Sequence, residues 1–228
     1  DNNASVLIAR DTRASGLILE NIISAILLFK GVRVILCGVL PTPALSTVLD
    51  HSEYSLGIMI TASHNPHYDN GIKLFGANGF KLQEEDEIEI EKGIINPRDI
   101  IYDARYGYDG ISTIDGAAIY SNFILNKFLP IEVNQPILVD CSNGACSDVV
   151  LASMIGLQNI HFSNSKPNGV NINLDCGALE PERLLDHVRT GGYAYGVAFD
   201  GDGDRSIFVS ADYGVIESEK MVCLFYQS

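Results

Sequence analysis

The residues best suited to chemistry in this sequence form an acidic loop, Asp200-Gly-Asp-Gly-Asp-Arg205. Its three carboxylates occupy alternate positions, and the intervening glycines give the backbone the freedom to bring alternate side chains together. Hard divalent cations prefer several oxygen ligands, whereas clustered carboxylates without a cation repel one another and raise their own pKa values. The pattern therefore predicts a metal site at Asp200, Asp202 and Asp204, against the alternative of an acidic surface turn.

The loop shares its alternating aspartates with the calcium loop of an EF-hand but departs from that motif at two positions. Arg205 stands at the sixth position, where an EF-hand has glycine, and Ala211 stands at the twelfth, where it has glutamate. Residues 207–210 are also typical of a strand rather than of a continuing calcium loop. Mg²⁺, held by few protein oxygens together with a phosphate, is the better candidate.

A second polar loop, Thr61-Ala-Ser-His-Asn-Pro66, places Ser63 next to His64. A serine hydrolase is one interpretation, but the G-x-S-x-G elbow is absent, and a histidine adjacent in sequence is badly placed to act as the serine's base. A loop whose serine and asparagine side chains cap backbone groups is the structural alternative. Lys73 adds a cation to the strand that leaves the loop. Taken alone, the loop leaves these interpretations open.

Each of the two loops directly follows a short apolar run that is typical of a β-strand, residues 56–61 in one case and 195–199 in the other. Ligands of α/β proteins gather beyond the carboxyl ends of the strands. We therefore predict two tandem α/β domains, about 1–112 and 113–228. Each should be a mixed or parallel sheet flanked by helices, with the site in the cleft between the domains.

Strand-like and helical patterns alternate along the chain, as expected for βαβ units. Further strand-like runs cover residues 6–9, 32–37, 136–141 and 157–162. Helical patterns cover residues 16–30, 43–50, 83–92, 115–129, 145–155 and 180–189. A hairpin is predicted over residues 71–82 and a connection between domains over 94–115. The two halves share this order of elements without convincing identity of residues.

The composition limits the range of functions. Hydrophobic residues make up 46% and charged residues 19%, as in a packed globular protein, and the formal net charge is −14. A surface this acidic repels nucleic acids and anionic membranes, so neither is expected as a partner, and a phosphorylated ligand requires a local basic cluster. No signal peptide or membrane-spanning stretch is found, and the glycine signatures of P-loop and dinucleotide-binding proteins are absent.

The five cysteines form neither a CxxC pair nor a zinc-binding spacing. An odd, scattered set of cysteines is typical of reduced and mostly buried thiols. We therefore expect a cytoplasmic protein without a structural disulfide.

The two loop motifs together, TASHNP and DGDGDR, resemble the α-D-phosphohexomutase family, with each motif on its own loop after a strand. The likeness spans nearly the whole chain, and several stretches resemble the bacterial phosphoglucosamine mutases in particular. Those stretches are Ala9–Gly16, Pro41–Ala44, Tyr68–Phe75, Val139–Ala145, Lys166–Asn173 and Cys176–Ala178.

The resemblance implies a phosphoserine enzyme that moves a phosphoryl group between two positions of a sugar. Ser63 would carry the phosphoryl group, and one Mg²⁺ ion per chain would be held by Asp200, Asp202 and Asp204 together with an oxygen of the phosphorylated Ser63. Arg205 would lie beside the transferring phosphate. The substrate would be a phosphorylated hexosamine, and a sugar bisphosphate would serve as activator and intermediate.

Proton transfer and charge stabilisation are assigned by the resemblance to His64 and Lys73, and either could be the general base. Arg10 and Arg13 match a basic loop near the phosphoserine, and which of them reaches it stays open. The implied reaction interconverts glucosamine 6-phosphate and glucosamine 1-phosphate, for amino-sugar nucleotide synthesis. A phosphomannomutase/phosphoglucomutase of the same family and a magnesium-dependent phosphatase are the alternatives, beside a domain that binds without catalysis.

The family pattern also extends beyond both ends of this sequence. A short segment precedes the residues matched to Asp1, and a sugar-recognising domain and a phosphate-binding domain follow those matched to Ser228. We therefore expect the chain to be a fragment of a longer enzyme.

Overall fold

The computed structural model of the protein describes residues 4–95, 110–128, 132–154 and 157–227. The first part of the chain contains β1 (Ser5–Arg10), α1 (Ala14–Phe29), β2 (Arg33–Val39), α2 (Thr42–Asp50), β3 (Leu56–Ile60), β4 (Ile72–Gly76), α3 (Glu84–Ile95), β5 (Ile111–Thr113) and α4 (Gly116–Phe128). The second part contains β6 (Ile137–Asp140), α5 (Cys146–Ser153), β7 (Ile160–Ser163), α6 (Pro181–Gly191), β8 (Tyr195–Phe199), β9 (Ser206–Ser210), β10 (Gly214–Ile216) and α7 (Ser218–Gln227).

The first sheet has the strand order β4-β3-β1-β2-β5, and its central strands have an apolar core on each face. All its neighbouring strands run parallel except β4, which is antiparallel to β3. Because successive side chains of a strand point to opposite faces, Leu7 and Ala9 join the core beside α2, whereas Val6 and Ile8 join the core beside α1. An unbroken apolar run is typical of such a doubly covered strand.

The second sheet repeats this arrangement with the order β10-β9-β8-β6-β7. β6 is parallel to β7 and β8, and β9 is antiparallel to β8 and β10. Leu184 and Val188 of α6 pack on one face, and Cys146 and Val150 at α5 pack on the other. The order β9-β8-β6-β7 matches β4-β3-β1-β2 strand for strand. The predicted fold class, two tandem α/β domains with mixed sheets flanked by helices, is confirmed.

The predicted connection at 94–115 is wrong in part, because β5 lies within it and pairs in parallel with β2. The three side chains of β5 are exposed, so the segment lacks the apolar alternation by which a strand is detected. Residues 96–109 of that connection lie outside the described residues. The side chain of Asp115 caps the start of α4, since the Ala118 amide donates to Asp115 Oδ1 at 2.9 Å.

The domain boundary predicted between residues 112 and 113 stays a proposal. β5 extends one residue beyond it while pairing with the first sheet. Tyr120 and Ile124 of α4 also pack against the core of that sheet, and α4 contacts α5 of the second. The helix therefore joins the two units by side-chain packing.

The cysteines of the chain are reduced and unpaired. All five cysteines are free, and four of them are buried: Cys37, Cys141, Cys146 and Cys176. Burial raises the pKa of Cys37, Cys141 and Cys176 to about 12. Within the described ranges, no helix is both long and apolar enough to cross a membrane.

Candidate active site

The structure brings the serine loop and the acidic loop together where β3 and β8 end. The hydroxyl of Ser63 donates to Asp200 Oδ2 at 2.7 Å, although 137 residues separate the two in sequence. Asp200 is buried, with 1% of its surface exposed. A serine hydroxyl on the loop after β3 therefore contacts a buried carboxylate on the loop after β8.

The backbone of Ser63 lies in the left-handed region, with a φ of +51°. A non-glycine residue pays roughly 1–2 kcal/mol for that conformation, so its surroundings must enforce it. The Ser63 amide donates to Thr61 Oγ1 at 2.9 Å, and the Thr61 hydroxyl donates to the buried Asp11 carboxylate at 2.7 Å. This chain of hydrogen bonds ties the serine loop to the end of β1.

The three aspartates of the acidic loop form one cluster. Asp200, Asp202 and Asp204 each offer a carboxylate oxygen, and these oxygens lie within 4.8 Å of one another. Burial raises the pKa of Asp200, and the negative charges of Asp202 and Asp204 raise it further. The hydrogen bond from Ser63 lowers this pKa but does not offset the rise. Asp202 is fully buried, and its Oδ1 atom has no hydrogen-bond partner within the described part of the chain.

The unpaired Oδ1 atom of Asp202 is informative because a buried carboxylate oxygen without a donor is costly. A cation ligated by that oxygen would remove the cost and offset the mutual repulsion of the carboxylates. The donor set consists of oxygens only, which suits a hard divalent ion rather than zinc or copper. The residues present therefore fit a magnesium site.

Lys73 supplies positive charge to the cluster from β4. Its Nζ atom lies 2.6 Å from Asp202 Oδ2 and 2.9 Å from Asp204 Oδ2. Burial alone would lower the pKa of Lys73, but the two carboxylates outweigh it and raise the pKa. For Asp202, burial acts to raise the pKa, and the hydrogen bonds from Lys73 and Thr42 outweigh it and lower the pKa.

Arg205 connects the acidic loop with the serine loop. Its Nη2 atom donates to the Ser63 hydroxyl oxygen at 2.9 Å and lies 3.0 Å from Asp200 Oδ2. The same nitrogen contacts Nδ1 of the exposed His64. Arg205 and Lys73 thus bring two positive charges to the acidic loop, where they pair with its carboxylates.

Of the two candidate arginines near β1, Arg13 is the one that reaches the serine loop. It is completely buried, and its guanidinium bonds the Asp11 carboxylate and the loop carbonyls of residues 63, 65, 66 and 69. Arg10 instead pairs with Glu20 on α1 at 3.3 Å. Arg13 therefore shapes the loop backbone, and its guanidinium does not donate to the Ser63 hydroxyl.

Sequence reasoning gave no role to two residues that contact the site. Thr42, within the stretch Pro41–Ala44, donates its hydroxyl to Asp202 Oδ2 at 2.5 Å. Asn173 donates its side-chain amide to the carbonyl of Ser63 at 2.9 Å. Both lie in stretches that carry the family resemblance, but only the fold shows what they touch.

Comparisons with known proteins show which family the chain resembles. Residues 1–99 match the family described as phosphoglucomutase/phosphomannomutase, alpha/beta/alpha domain I. A solved structure of a phosphoglucomutase/phosphomannomutase family protein from Burkholderia thailandensis superposes with a TM-score of 0.79 at 26% identity. That alignment covers 97% of this chain and 50% of the other. The predicted resemblance to the α-D-phosphohexomutase family is confirmed.

Curated relatives refine the likeness. The chain is 40% identical to the phosphoglucosamine mutase of Limosilactobacillus reuteri over 95% of its own length and 49% of that protein. It is 39% identical to the phosphoglucosamine mutase of Brucella anthropi over 98% of its own length and 50% of that protein. The chain therefore spans about half the length of the curated relatives it matches.

Proposed function

We propose that the chain carries the phosphoserine loop and the metal loop of a mutase that interconverts glucosamine 6-phosphate and glucosamine 1-phosphate. The observation that carries this proposal is the position of the Ser63 hydroxyl, 2.7 Å from Asp200 and 2.9 Å from Arg205. The 37–40% identity to phosphoglucosamine mutases over nearly the whole chain supports the choice of sugar. The two domains of the proposal are residues 1–112 and 113–228.

Asp200, Asp202 and Asp204, with an oxygen of phosphorylated Ser63, would hold one Mg²⁺ ion. The unpaired Oδ1 atom of Asp202 supports this ligand set. When bound, the ion would polarise the phosphoryl oxygens and make the serine oxygen a better leaving group. Ser63 thus has two proposed roles. It carries the phosphoryl group, and in its phosphorylated form it supplies an oxygen ligand to the Mg²⁺ ion.

In the proposed transfer, a sugar hydroxyl oxygen forms a bond to phosphorus while the bond between phosphorus and Ser63 Oγ breaks. The hydroxyl proton passes to a protein base, and Ser63 Oγ takes up a proton. Phosphoryl transfer depends mainly on positioning and on neutralising oxygen charge. Arg205 supplies that charge, since its guanidinium already contacts Ser63 Oγ. The resulting sugar bisphosphate reorients and returns its other phosphate to Ser63.

The general base of this transfer is proposed to be His64. Lys73 is held in ion pairs, 2.6 Å from Asp202 and 2.9 Å from Asp204, a position that suits charge stabilisation better than proton abstraction. Lys73 would instead stabilise charge beside the transferring group. The four residues in direct contact with the reacting groups would then be Ser63, His64, Lys73 and Arg205.

The physiological setting of the proposal is amino-sugar nucleotide synthesis in the cytoplasm. The free thiols are compatible with a reducing compartment. The substrate is a phosphorylated hexosamine, and a sugar bisphosphate primes Ser63.

Phosphoryl transfer to the protein tests the proposal directly. Radiolabelled 1,6-bisphosphates of glucosamine, glucose and mannose are incubated separately with the chain and Mg²⁺, and protein-bound label is followed over time. Protein-bound label is expected from the glucosamine compound, with the sugar monophosphate as the other product. A clear preference for glucose or mannose would overturn the choice of sugar. Release of inorganic phosphate in place of protein-bound label would indicate a phosphatase.

A further inference from the structure

Two side chains from different domains bind the same pair of carbonyl oxygens in the serine loop. The carbonyls of Ser63 and Asn65 each accept a hydrogen bond from Arg13 Nη2, both at 2.9 Å. The same two carbonyls accept hydrogen bonds from Asn173 Nδ2, at 2.9 and 3.1 Å. We call this four-residue arrangement, Arg13, Ser63, Asn65 and Asn173, the carbonyl clamp.

The clamp acts on a residue whose backbone lies in the left-handed region. Ser63 has a φ of +51°, and its carbonyl is one of the two that the clamp holds. A small rotation of that peptide would move Ser63 Oγ away from Asp200, which it contacts at 2.7 Å. Arg13 restrains the loop from the first domain, and Asn173 restrains it from the second.

Asn173 is itself firmly placed in the second domain. Its backbone amide donates to the Ser142 carbonyl at 2.9 Å, and its own φ is +56°, a conformation that asparagine tolerates well. The neighbouring Ile172 is buried. Because this segment is held within the second domain, the hydrogen bonds of the Asn173 side chain fix the serine loop relative to that domain.

The acidic loop packs against the same clamp. A methyl group built on Gly201 would lie 2.6 Å from the Ser63 carbonyl oxygen and 2.8 Å from Asn173 Nδ2. Gly201 stands between Asp200 and Asp202. The clamp therefore also sets how closely the acidic loop approaches the nucleophile.

We propose that Asn173 is a positioning residue for phosphoryl transfer at Ser63. It holds the Ser63 and Asn65 carbonyls so that Ser63 Oγ stays in line with the acidic loop. The role of Asn173 in phosphoryl transfer rests on the proposed function, whereas its hydrogen bonds to the Ser63 and Asn65 carbonyls do not. An amide nitrogen is required, since only a donor can lie between two carbonyl oxygens.

The test variant is Asn173→Asp, which keeps the size and the left-handed preference of asparagine but removes both donors. Asn173→Gly serves as a second variant, because it preserves the backbone conformation without adding charge. Asn168→Asp is the matched control. Asn168 is exposed on the same segment, and its Oδ1 accepts from the Val170 amide, a bond that aspartate retains.

Two measurements are made on each variant. Amide hydrogen exchange by mass spectrometry follows the peptide covering residues 61–70, with residues 181–191 as an internal reference. Label transfer from glucosamine 1,6-bisphosphate gives the maximal rate, the half-saturating concentration and the final extent of labelling.

Both Asn173 variants are expected to speed exchange in residues 61–70 by roughly 5- to 10-fold, the effect of losing about one net hydrogen bond. The maximal rate of labelling should fall about 10- to 100-fold, as for misplacement of a reacting group. The half-saturating concentration and the final extent of labelling should stay unchanged. A variant that had merely lost folded protein would instead show a smaller final extent of labelling. Asn168→Asp should match the unaltered chain.

Unchanged exchange in residues 61–70 would contradict the claim that Asn173 holds the serine loop. Faster exchange with an unchanged labelling rate would contradict the claim that Asn173 positions Ser63 for transfer. If the unaltered chain takes up no label, the proposed function fails, and hydrogen exchange alone then decides whether Asn173 holds the loop.

Discussion

Lys73→Met removes the cation that balances the acidic cluster while keeping the length of the side chain. In the structure, the ammonium group contacts Asp202 at 2.6 Å and Asp204 at 2.9 Å. Asp202 is fully buried, whereas a quarter of the Lys73 side chain and about a third of the Asp204 side chain are exposed. The variant leaves the buried Asp202 carboxylate with neutral donors such as the Thr42 hydroxyl in place of the ammonium group.

The expected loss of stability follows from this geometry. Removing one partner of a fully buried ion pair costs about 3–5 kcal/mol. The partial exposure of Lys73 reduces this to about 2–3 kcal/mol, because solvent screens the pair. For a chain of this size, each kcal/mol lowers the Tm by about 2–4 °C, so the variant should melt about 4–12 °C lower without divalent ions.

Thermal unfolding with EDTA and with saturating Mg²⁺ measures the effect. Mg²⁺ should raise the Tm of Lys73→Met more than that of the unaltered chain, because the ion neutralises the carboxylates that Lys73 otherwise balances. Lys81→Met is the control, since Lys81 pairs with Glu87 on the surface and such pairs contribute about 0–1 kcal/mol. An unchanged Tm in EDTA, or equal stabilisation of both proteins by Mg²⁺, would refute the reasoning.

Further predictions concern packing and thiols. Gly201→Ala should destabilise the chain by about 1–3 kcal/mol in chemical denaturation and slow labelling of Ser63, because its methyl group meets the Ser63 carbonyl. Gly93→Ala, in an open position on α3, should instead stabilise it by about 0.5–1 kcal/mol. A thiol reagent at pH 8 should modify the exposed Cys223 quickly and the buried thiols slowly, because a pKa of about 12 leaves only about 10⁻⁴ of Cys37, Cys141 or Cys176 ionised. Rapid reaction of more than one thiol in the folded chain would contradict the described burial.

The strands and the two loops could be predicted because local sequence determines them. β1, β3 and β8 are short apolar runs, and a polar loop directly follows each of the latter two. A parallel arrangement then places Ser63 and Asp200 at the carboxyl ends of their strands. Residue spacing within the loop was enough to indicate that Asp200, Asp202 and Asp204 converge.

Other features depend on contacts between distant parts of the chain. Asn173 and Ser63 are 110 residues apart, and Thr42 and Asp202 are 160 apart, so nothing in the local sequence indicates either pair. Arg13 is fully buried although arginine is usually exposed, because the loop carbonyls and Asp11 satisfy its donors. β5 could not be predicted because its three exposed residues acquire strand geometry only by pairing with β2.

The central claim, that Ser63 carries a phosphoryl group beside a metal held by the acidic loop, can be tested in one measurement. The chain is incubated with radiolabelled glucosamine 1,6-bisphosphate, with and without Mg²⁺, and the protein-bound label is located by phosphopeptide mapping. Ser63→Ala and Asp202→Asn are treated in parallel. We predict Mg²⁺-dependent label on Ser63, none in Ser63→Ala and strongly reduced labelling in Asp202→Asn. Label on another residue, or labelling that persists in Ser63→Ala, would contradict the account.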